Sequence, residues 1–177
     1  MGLNRPDPRF WRGRRVLVTG HTGFKGSWLT LWLEQLGAEV HGLALAPEPV
    51  AAPALPLFEA LGLAERLGER HRIGDLRDPQ GLTAAVAASQ PQLVLHLAAQ
   101  ALVRQSYRDP LGTWSTNVQG SLNLLEALKP LQTPCAVVMV TTDKVYANQE
   151  WDYGYRESDR LGGHDPYSAS KAAAEIA

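Results

Sequence analysis

The stretch "RRVLVTGHTGFKGSWLTLWLEQLG", residues 14–37, decides the fold. Residues 14–20 form a short apolar run that reads as a buried strand. Residues 24–37 place Trp28, Leu31, Trp32 and Leu36 on one helical face, with Gly37 as a natural stop. Between the two stand Gly20, Gly23 and Gly26 in the spacing GxxGxxG. Glycine lets a backbone turn sharply and come close to a pyrophosphate. The following helix N-terminus supplies N–H donors and the positive end of a dipole. Tight helix–sheet packing would also ask for glycine. A strand-to-helix junction that opens a βαβ pattern favours a dinucleotide cradle over that bland alternative.

The rest of the chain continues the alternation. Strands are expected in "AEVHGLAL" (38–45), "RHRIGD" (70–75), "PQLVLHLAA" (91–99) and "CAVVMVTTD" (135–143). Between them, "LFEALGLAERL" (57–67) reads as a short helix and the Pro/Ala-rich 46–56 as a loop. Asp78-Pro79, Asp109-Pro110 and Asp165-Pro166 each pair an N-cap with proline at the first helical position. The helix after Asp109 carries Trp114, Val118, Leu122 and Leu125 along one face and ends at Pro130. Near-continuous apolar strands alternating with helices mean a parallel sheet covered on both faces. The expected fold is α/β, a doubly wound parallel Rossmann sheet with five strands in the order 3-2-1-4-5.

Composition narrows the function. At 177 residues and 45% apolar content the chain has the size of one domain with a real core. A formal net charge of −1 steers it toward neither nucleic acid nor an anionic membrane. No apolar run approaches the roughly 20 residues that a transmembrane helix needs. Residues 1–15 carry arginine with no apolar core behind it, so no secretory signal is read there. The single cysteine, Cys135, reads as a small buried hydrophobe that opens a strand. His21, His41, His71, His96 and His164 show no metal-ligand spacing, so no metal is expected. The expected compartment is the cytoplasm.

The cofactor reading favours NAD. An acid about 20 residues past the cradle would hold the ribose 2′-hydroxyl. The second strand ends without one, and Glu48 lies just beyond. No Arg or Lys falls between Leu43 and Val50 to hold a 2′-phosphate; Lys25, inside the glycine loop, is the one residue pulling toward NADP. Asp75, after the third strand, is placed to accept from an adenine amino group. A turn residue is the competing reading.

Near the C-terminus, Asp165 as N-cap sets Tyr167 in the first helical turn and Lys171 one turn on, on the same face. Lys171 could instead pair with Glu175. Beside a dinucleotide cradle the Tyr/Lys pair has a task. A phenol, with a pKa of about 10, is a poor base at neutral pH. A neighbouring ammonium favours the phenolate, which can take a proton from a sugar hydroxyl as hydride leaves for nicotinamide. Thr141, Thr142, Asp143 and Lys144 follow the fifth strand, where ligands of a doubly wound sheet sit. Thr142 could hold the same hydroxyl; a Thr-Thr-Asp after a strand also serves as a cap.

The motifs "TGHTGFKGS", "GDLRD", "LHLAAQ", "TNVQG", "VTTDK" and "YSASK", in this order and spacing, resemble the extended short-chain dehydrogenase/reductase superfamily. Within it, "HTGFKGSWL", "LAAQALVRQSYRDP", "TTDKVYANQEW" and "GYRESDRLGGHDPYSASKA" are most similar to the CDP-glucose 4,6-dehydratase group, and the likeness covers nearly all of the chain after about residue 11. The resemblance implies a catalytic set of Thr142, Asp143, Lys144, Tyr167 and Lys171. It implies NAD contacts from Gly20, Thr22, Gly23, Phe24, Gly26, Asp75, Leu76, Leu97, Ala98 and Ala99, together with Tyr167 and Lys171. It implies a nucleotide-sugar substrate, CDP-glucose. The reaction would be oxidation at C4, loss of water across C5–C6 and hydride return to C6. Asp143 would be the acid that protonates the departing hydroxyl if burial raises its pKa. Lys144 would be either a deprotonated base or a cation on the developing enolate. A homodimer is expected through the helices after the fourth and fifth strands. The family continues into a further strand and a C-terminal substrate domain. Residues 1–177 are therefore expected to be an incomplete NAD(P)-binding Rossmann domain, without turnover of its own and prone to associate through its open fifth strand. A nucleotide-sugar 4-epimerase and a non-catalytic dinucleotide-binding fragment are the alternatives.

Overall fold

A computed structural model describes residues 6–177. Met1–Arg5, the start of the stretch read as carrying no secretory signal, lie outside the described residues. The strands are β1 (Arg15–Thr19), β2 (Glu39–Ala44), β3 (His71–Ile73), β4 (Leu93–His96) and β5 (Ala136–Met139). The helices are α1 (Pro8–Trp11), α2 (Phe24–Gln35), α3 (Leu57–Ala60), α4 (Leu63–Leu67), α5 (Pro79–Ser89), α6 (Val103–Arg108), α7 (Pro110–Trp114), α8 (Gly120–Leu128) and α9 (Pro166–Ile176). A π-helical turn, Ser115–Gln119, joins α7 to α8. All pairings are parallel and the order is β3-β2-β1-β4-β5, as the alternation predicts.

Local chemistry sets the helix ends. Asp78, Asp109 and Asp165 each accept from a backbone N–H in the first turn of α5, α7 and α9, with proline following. Asp7-Pro8 does the same for α1, a helix the apolar pattern is too short to announce. Gly37 takes φ +87° after α2, and Ala38 N–H reaches back to the Leu33 carbonyl, closing that helix. Gly62 at φ +59° splits the expected 57–67 helix into α3 and α4.

Two cores flank the sheet. Leu17, Val94, Leu82, Val86, Leu124 and Ala127 join the sheet to α5 and α8. Val16, Val18, Val40, Leu33 and Leu67 join its other face to α2 and α4. On two helices the face that carries the large apolar residues is not the one against the sheet. On α2 the sheet receives Gly26, Ser27, Thr30 and Leu33, while Trp28 and Trp32 are half exposed. Along α7–α8, Thr113, Asn117, Ser121 and Leu124 are buried, and Trp114 and Leu122 face outward. Small side chains let a helix approach the sheet closely, so they win the buried face over bulkier, more apolar neighbours. Cys135 is half-buried and precedes β5 rather than opening it.

Leu124 and Leu122 therefore share a helix but not an environment. Leu124→Ala should lower unfolding free energy by about 2–5 kcal/mol, and Leu122→Ala by less than about 1 kcal/mol. Urea denaturation followed by circular dichroism measures both; equal losses would show that the buried face is misassigned.

Candidate functional site

The glycine loop closes on itself before any ligand is considered. Gly20 has φ +78°, and a Cβ there would lie 2.8 Å from Ala98 N. A Cβ on Gly26 would strike the Gly20 carbonyl and the His21 backbone. Both positions need glycine for packing alone. Gly23 differs: it has an ordinary extended backbone, and a Cβ would meet only the Gly20 carbonyl, at 3.4 Å. Its missing side chain keeps the space before the α2 N-terminus open. That is the feature a phosphate cradle requires.

A cleft of about 720 Å³ opens there, over the C-terminal ends of the strands. Gly20, Thr22, Gly23, Phe24, Asp75, Leu76, Leu97, Ala98 and Ala99 of the expected cofactor set all line it. Gly26 does not; it is buried behind the loop. Glu48 lines the cleft, whereas Lys25 lies outside it in a groove along α2. Arg77, which lies outside the 43–50 stretch, is brought to the cleft wall by the turn after β3. Its guanidinium is held by the Asp75 carboxylate, with Nε 3.0 Å from both oxygens. Those hydrogen bonds outweigh burial and hold the Asp75 carboxyl below the usual range. Thr22 Oγ1 donates to the Leu45 carbonyl and ties the loop to the end of β2.

Beneath the loop lies a pair that sequence spacing cannot show. His21 is fully buried, and its Nε2 is 2.7 Å from His71 Nδ1 across 50 residues. Both rings pack on Phe58. Burial first, then the second imidazole, pushes the His21 pKa down to about 4.

The expected catalytic residues do not share one cavity. Lys171 is buried, and its Nζ donates to the Val140 carbonyl at 2.9 Å, beyond β5, rather than to Glu175. Burial lowers its pKa, with Glu175 opposing. Tyr167 is half-buried one turn earlier on α9. Thr142 Oγ1 donates to Asp143 Oδ1 at 3.0 Å and caps the short 3-10 turn Asp143–Val145, the competing reading of that motif. Asp143 and Lys144 are exposed, so the burial expected around the Asp143 carboxyl is not provided by these residues. They line a second concavity of about 410 Å³ with Tyr146, Tyr155, His164 and Asp165. Stacked rings order its wall, Tyr146 on Tyr155 at 5.0 Å, and behind Tyr155 Trp151 stacks on Tyr153 at 4.5 Å.

The residues that join these parts carry no signal in hydrophobic periodicity. Asn117, buried in the π turn, accepts from Gln100 N–H at 2.8 Å and donates to the Gln100 carbonyl at 3.0 Å. Its Nδ2 also donates to Ser170 Oγ at 2.9 Å. One side chain thus binds the loop after β4 to the helix carrying Tyr167 and Lys171. Alongside it, His96 lies 2.7 Å from Thr19 Oγ1 and 3.1 Å from Ser121 Oγ. Burial, followed by the Lys171 charge, pushes the His96 pKa to about 4. "TNVQG" and "LHLAAQ" mark both stretches as motifs, but nothing in them reveals these bonds.

With that geometry in place, comparison with known proteins is direct. Residues 17–177 match the family model described as GDP-mannose 4,6 dehydratase, and the chain belongs to that family. It is 53% identical over 171 residues to the CDP-glucose 4,6-dehydratase of Salmonella typhimurium, covering 96% of this chain and 46% of that protein. It is 30% identical over 176 residues to the CDP-paratose 2-epimerase of Salmonella typhi, covering 91% and 51%. Among solved structures, the Thermus thermophilus UDP-glucose 4-epimerase complex with NAD superposes with a TM-score of 0.68 at 31% identity, covering 92% of this chain and 49% of that one. The chain spans about half the length of the curated relatives it matches.

The buried histidines make stability depend on pH. The folded pKa of His96 lies near 4, against an ordinary 6.5, so the unfolded state binds more protons between those values. Stability should be level above about pH 6.5 and fall as pH drops toward 4. The loss from His96 should be on the order of 3 kcal/mol. Urea midpoints from pH 7.5 to 4.5 should show the slope, and His96→Asn should reduce it, leaving the part that His21 contributes. An unchanged slope in that variant would assign the acid sensitivity elsewhere.

Proposed function

We propose that this chain is the NAD-binding part of a nucleotide-sugar 4,6-dehydratase that acts on CDP-glucose. The observation that carries this reading is the 53% identity to a CDP-glucose 4,6-dehydratase across 96% of the chain. The cradle fits the cofactor. Gly23 leaves the space for a pyrophosphate at the α2 N-terminus, and the cleft beyond β1 and β4 has room for a nucleotide. Gly20, Thr22, Gly23 and Phe24 would hold the phosphates, with Asp75 and Leu76 toward the adenine and Leu97, Ala98 and Ala99 along the cleft wall. Cleft charge supports NAD over NADP: Glu48 faces it, Lys25 does not, and Arg77 is already paired.

When bound, NAD⁺ supplies the hydride acceptor for oxidation at C4 and the donor for reduction at C6. The protein's part is proton handling. Tyr167 takes the proton of the sugar 4-hydroxyl, assisted by the Lys171 ammonium one turn away. The C4 ketone acidifies the C5 proton, which would pass to a Lys144 amine or to water in the open concavity, while Asp143, exposed in this chain and covered once substrate binds, would protonate the departing 6-hydroxyl. Lys144 would otherwise act as a cation on the developing enolate. It lies near Asp165: burial raises that carboxyl, but the helix-cap hydrogen bonds and then the Lys144 charge outweigh it and hold the carboxyl below its usual range. Thr142 would turn from its cap to the substrate hydroxyl.

The same reading expects a cytoplasmic enzyme and a homodimer. Leu111, Trp114 and Leu122, exposed along α7–α8, support the dimer surface. Among the described residues no helix is long and apolar enough to cross a membrane.

Two measurements test the reading. Calorimetry on this chain should show NAD binding at least about tenfold tighter than NADP, a difference of roughly 1.4 kcal/mol; the reverse preference would refute the charge argument. In the full-length enzyme, Asp143→Asn should spare oxidation at C4 and slow loss of the 6-hydroxyl by about 10²-fold or more. Reduced cofactor would then accumulate, visible at 340 nm (on the order of the enzyme concentration). Unchanged dehydration would remove Asp143 from the mechanism, and 4-epimerised product without water loss would replace the dehydratase reading with the epimerase.

A further inference from the structure

Elimination of water across C5–C6 needs a base for the C5 proton as well as an acid for the 6-hydroxyl. The concavity beside Asp143 holds one imidazole that no other part of the chain claims. Of the five histidines, His21 and His71 bond each other, His96 lies between Thr19 and Ser121, and His41 meets Glu39 at 3.0 Å. The His164 ring has no hydrogen bond or ion pair among the described residues, and it lines the concavity with Asp143 and Lys144.

The other candidates on that wall are engaged. Asp165 commits both carboxylate oxygens to Ser168, Oδ1 to its N–H at 3.0 Å and Oδ2 to its hydroxyl at 2.6 Å. Tyr155 Oη donates to Asn148 Oδ1 at 2.8 Å and accepts from Gln149 N–H at 2.7 Å. Burial, followed by the Glu157 charge, pushes the Tyr146 phenol above its ordinary pKa, away from the range of a useful base. Asp143, Lys144 and His164 are what is left.

Backbone contacts fix where the His164 ring stands. Gly162 N–H donates to the Val145 carbonyl at 2.7 Å, and Leu161 bridges Tyr146. The segment is thus tied to the turn that carries Asp143 and Lys144. Gly163 is pressed on the first turn of α9, where a Cβ would strike the backbone of Ser168 and Ala169. Asp165 then caps the helix. His164 is pinned between these two neighbours, three residues ahead of Tyr167, with its side chain exposed toward the concavity's solvent. Imidazole is the side chain best suited to take a proton near neutral pH and give it back.

We propose that His164 is the general base at C5, a role that rests on the dehydratase reading above. Neutral His164 takes the C5 proton, directly or through one water of the concavity. The C5–H electron pair passes into the C4 enolate, which Lys144 faces as a cation. As the enolate returns to the ketone, the C5–C6 double bond forms and the C6–O bond breaks. Asp143 supplies the proton with which the hydroxyl leaves as water. Once C6 has received its hydride, the His164 imidazolium returns a proton to C5. The proton that Tyr167 took from the 4-hydroxyl restores Asp143 through solvent, so the cycle closes without a further reactant.

The experiment uses the full-length enzyme. His164→Ala should slow dehydration of CDP-glucose by about 10²-fold or more while the cofactor is still reduced, so its 340 nm absorbance persists. Added imidazole should accelerate this variant by about tenfold or more, a rescue that a structural defect would not show. CDP-6-deoxy-6-fluoroglucose separates His164 from Asp143, because fluoride departs with little help from an acid. On that substrate Asp143→Asn should run close to the wild-type rate and His164→Ala should stay slow. Unchanged dehydration in His164→Ala, a slow variant that imidazole does not accelerate, or fluoride loss that falls in Lys144→Ala but not in His164→Ala would each overturn the role. Wild-type enzyme that gives no 4-keto-6-deoxy product from CDP-glucose would instead fail the dehydratase reading, and the role with it.

Discussion

The approach of Gly26 to the Gly20 carbonyl is the constraint on which the molecule turns. No side chain fits between them. Because they meet, α2 starts directly over the end of β1, and its first N–H groups face the space beyond the strands. Because α2 starts there, Ser27 can donate to the Gly23 carbonyl at 2.8 Å and to His21 at 3.2 Å, locking the turn from inside. The position of the cleft follows from this closure rather than from anything a ligand supplies. Two of the three glycines serve packing, and the third, Gly23, leaves the opening. A nucleotide would find the cradle formed, with little ordering cost at binding.

The second organising contact lies at the other end of the cleft. Asn117 satisfies both backbone groups of Gln100 and reaches Ser170, while Lys171 bonds the Val140 carbonyl. Buried polar groups left without partners cost about 1–3 kcal/mol each, so such a network tolerates one arrangement and few others. The π turn is what makes it possible. One extra residue in the helical turn rotates Asn117 inward, where a regular helix would carry a different side chain to that point. Neutral His96 fits the same logic. An imidazolium there would stand beside the Lys171 charge in a dry interior, and burial excludes it.

How much of this was legible in the sequence divides along physical lines. Strand order, parallel pairing, the glycine cradle and three of the four Asp-Pro caps followed from patterns local to a few residues. Helix type was equally plain, yet the apolar period alone does not tell which side of α2 or α8 meets the sheet. Apolar periodicity ranks residues by transfer energy, whereas a helix against a parallel sheet is selected by distance of approach. The His21–His71 pair, the Asp75–Arg77 clamp and the Asn117 junction were invisible because each joins residues through tertiary folding or turn geometry rather than through a period. The site was legible as a set of residues and not as a cavity. Family motifs carried Thr142, Asp143, Lys144, Tyr167 and Lys171 together, while the fold divides them between a capped turn, an exposed concavity and a buried helix face.

That allocation of helix faces bears on the molecular surface. When small residues take the sheet side, the bulky apolar residues of an amphipathic helix have only the outside left. α2 shows this with Trp28 and Trp32, and α8 shows it with Leu122 below Trp114. Selection for solubility alone would replace such side chains with charged ones at little cost to the monomer. Their presence on both sides of one sheet leaves apolar surface at the outer faces of the layers. Close helix–sheet packing and outward apolar surface are then two consequences of one allocation: glycine, serine and threonine draw the helices in, and the displaced aromatic and aliphatic bulk is carried to the outer faces.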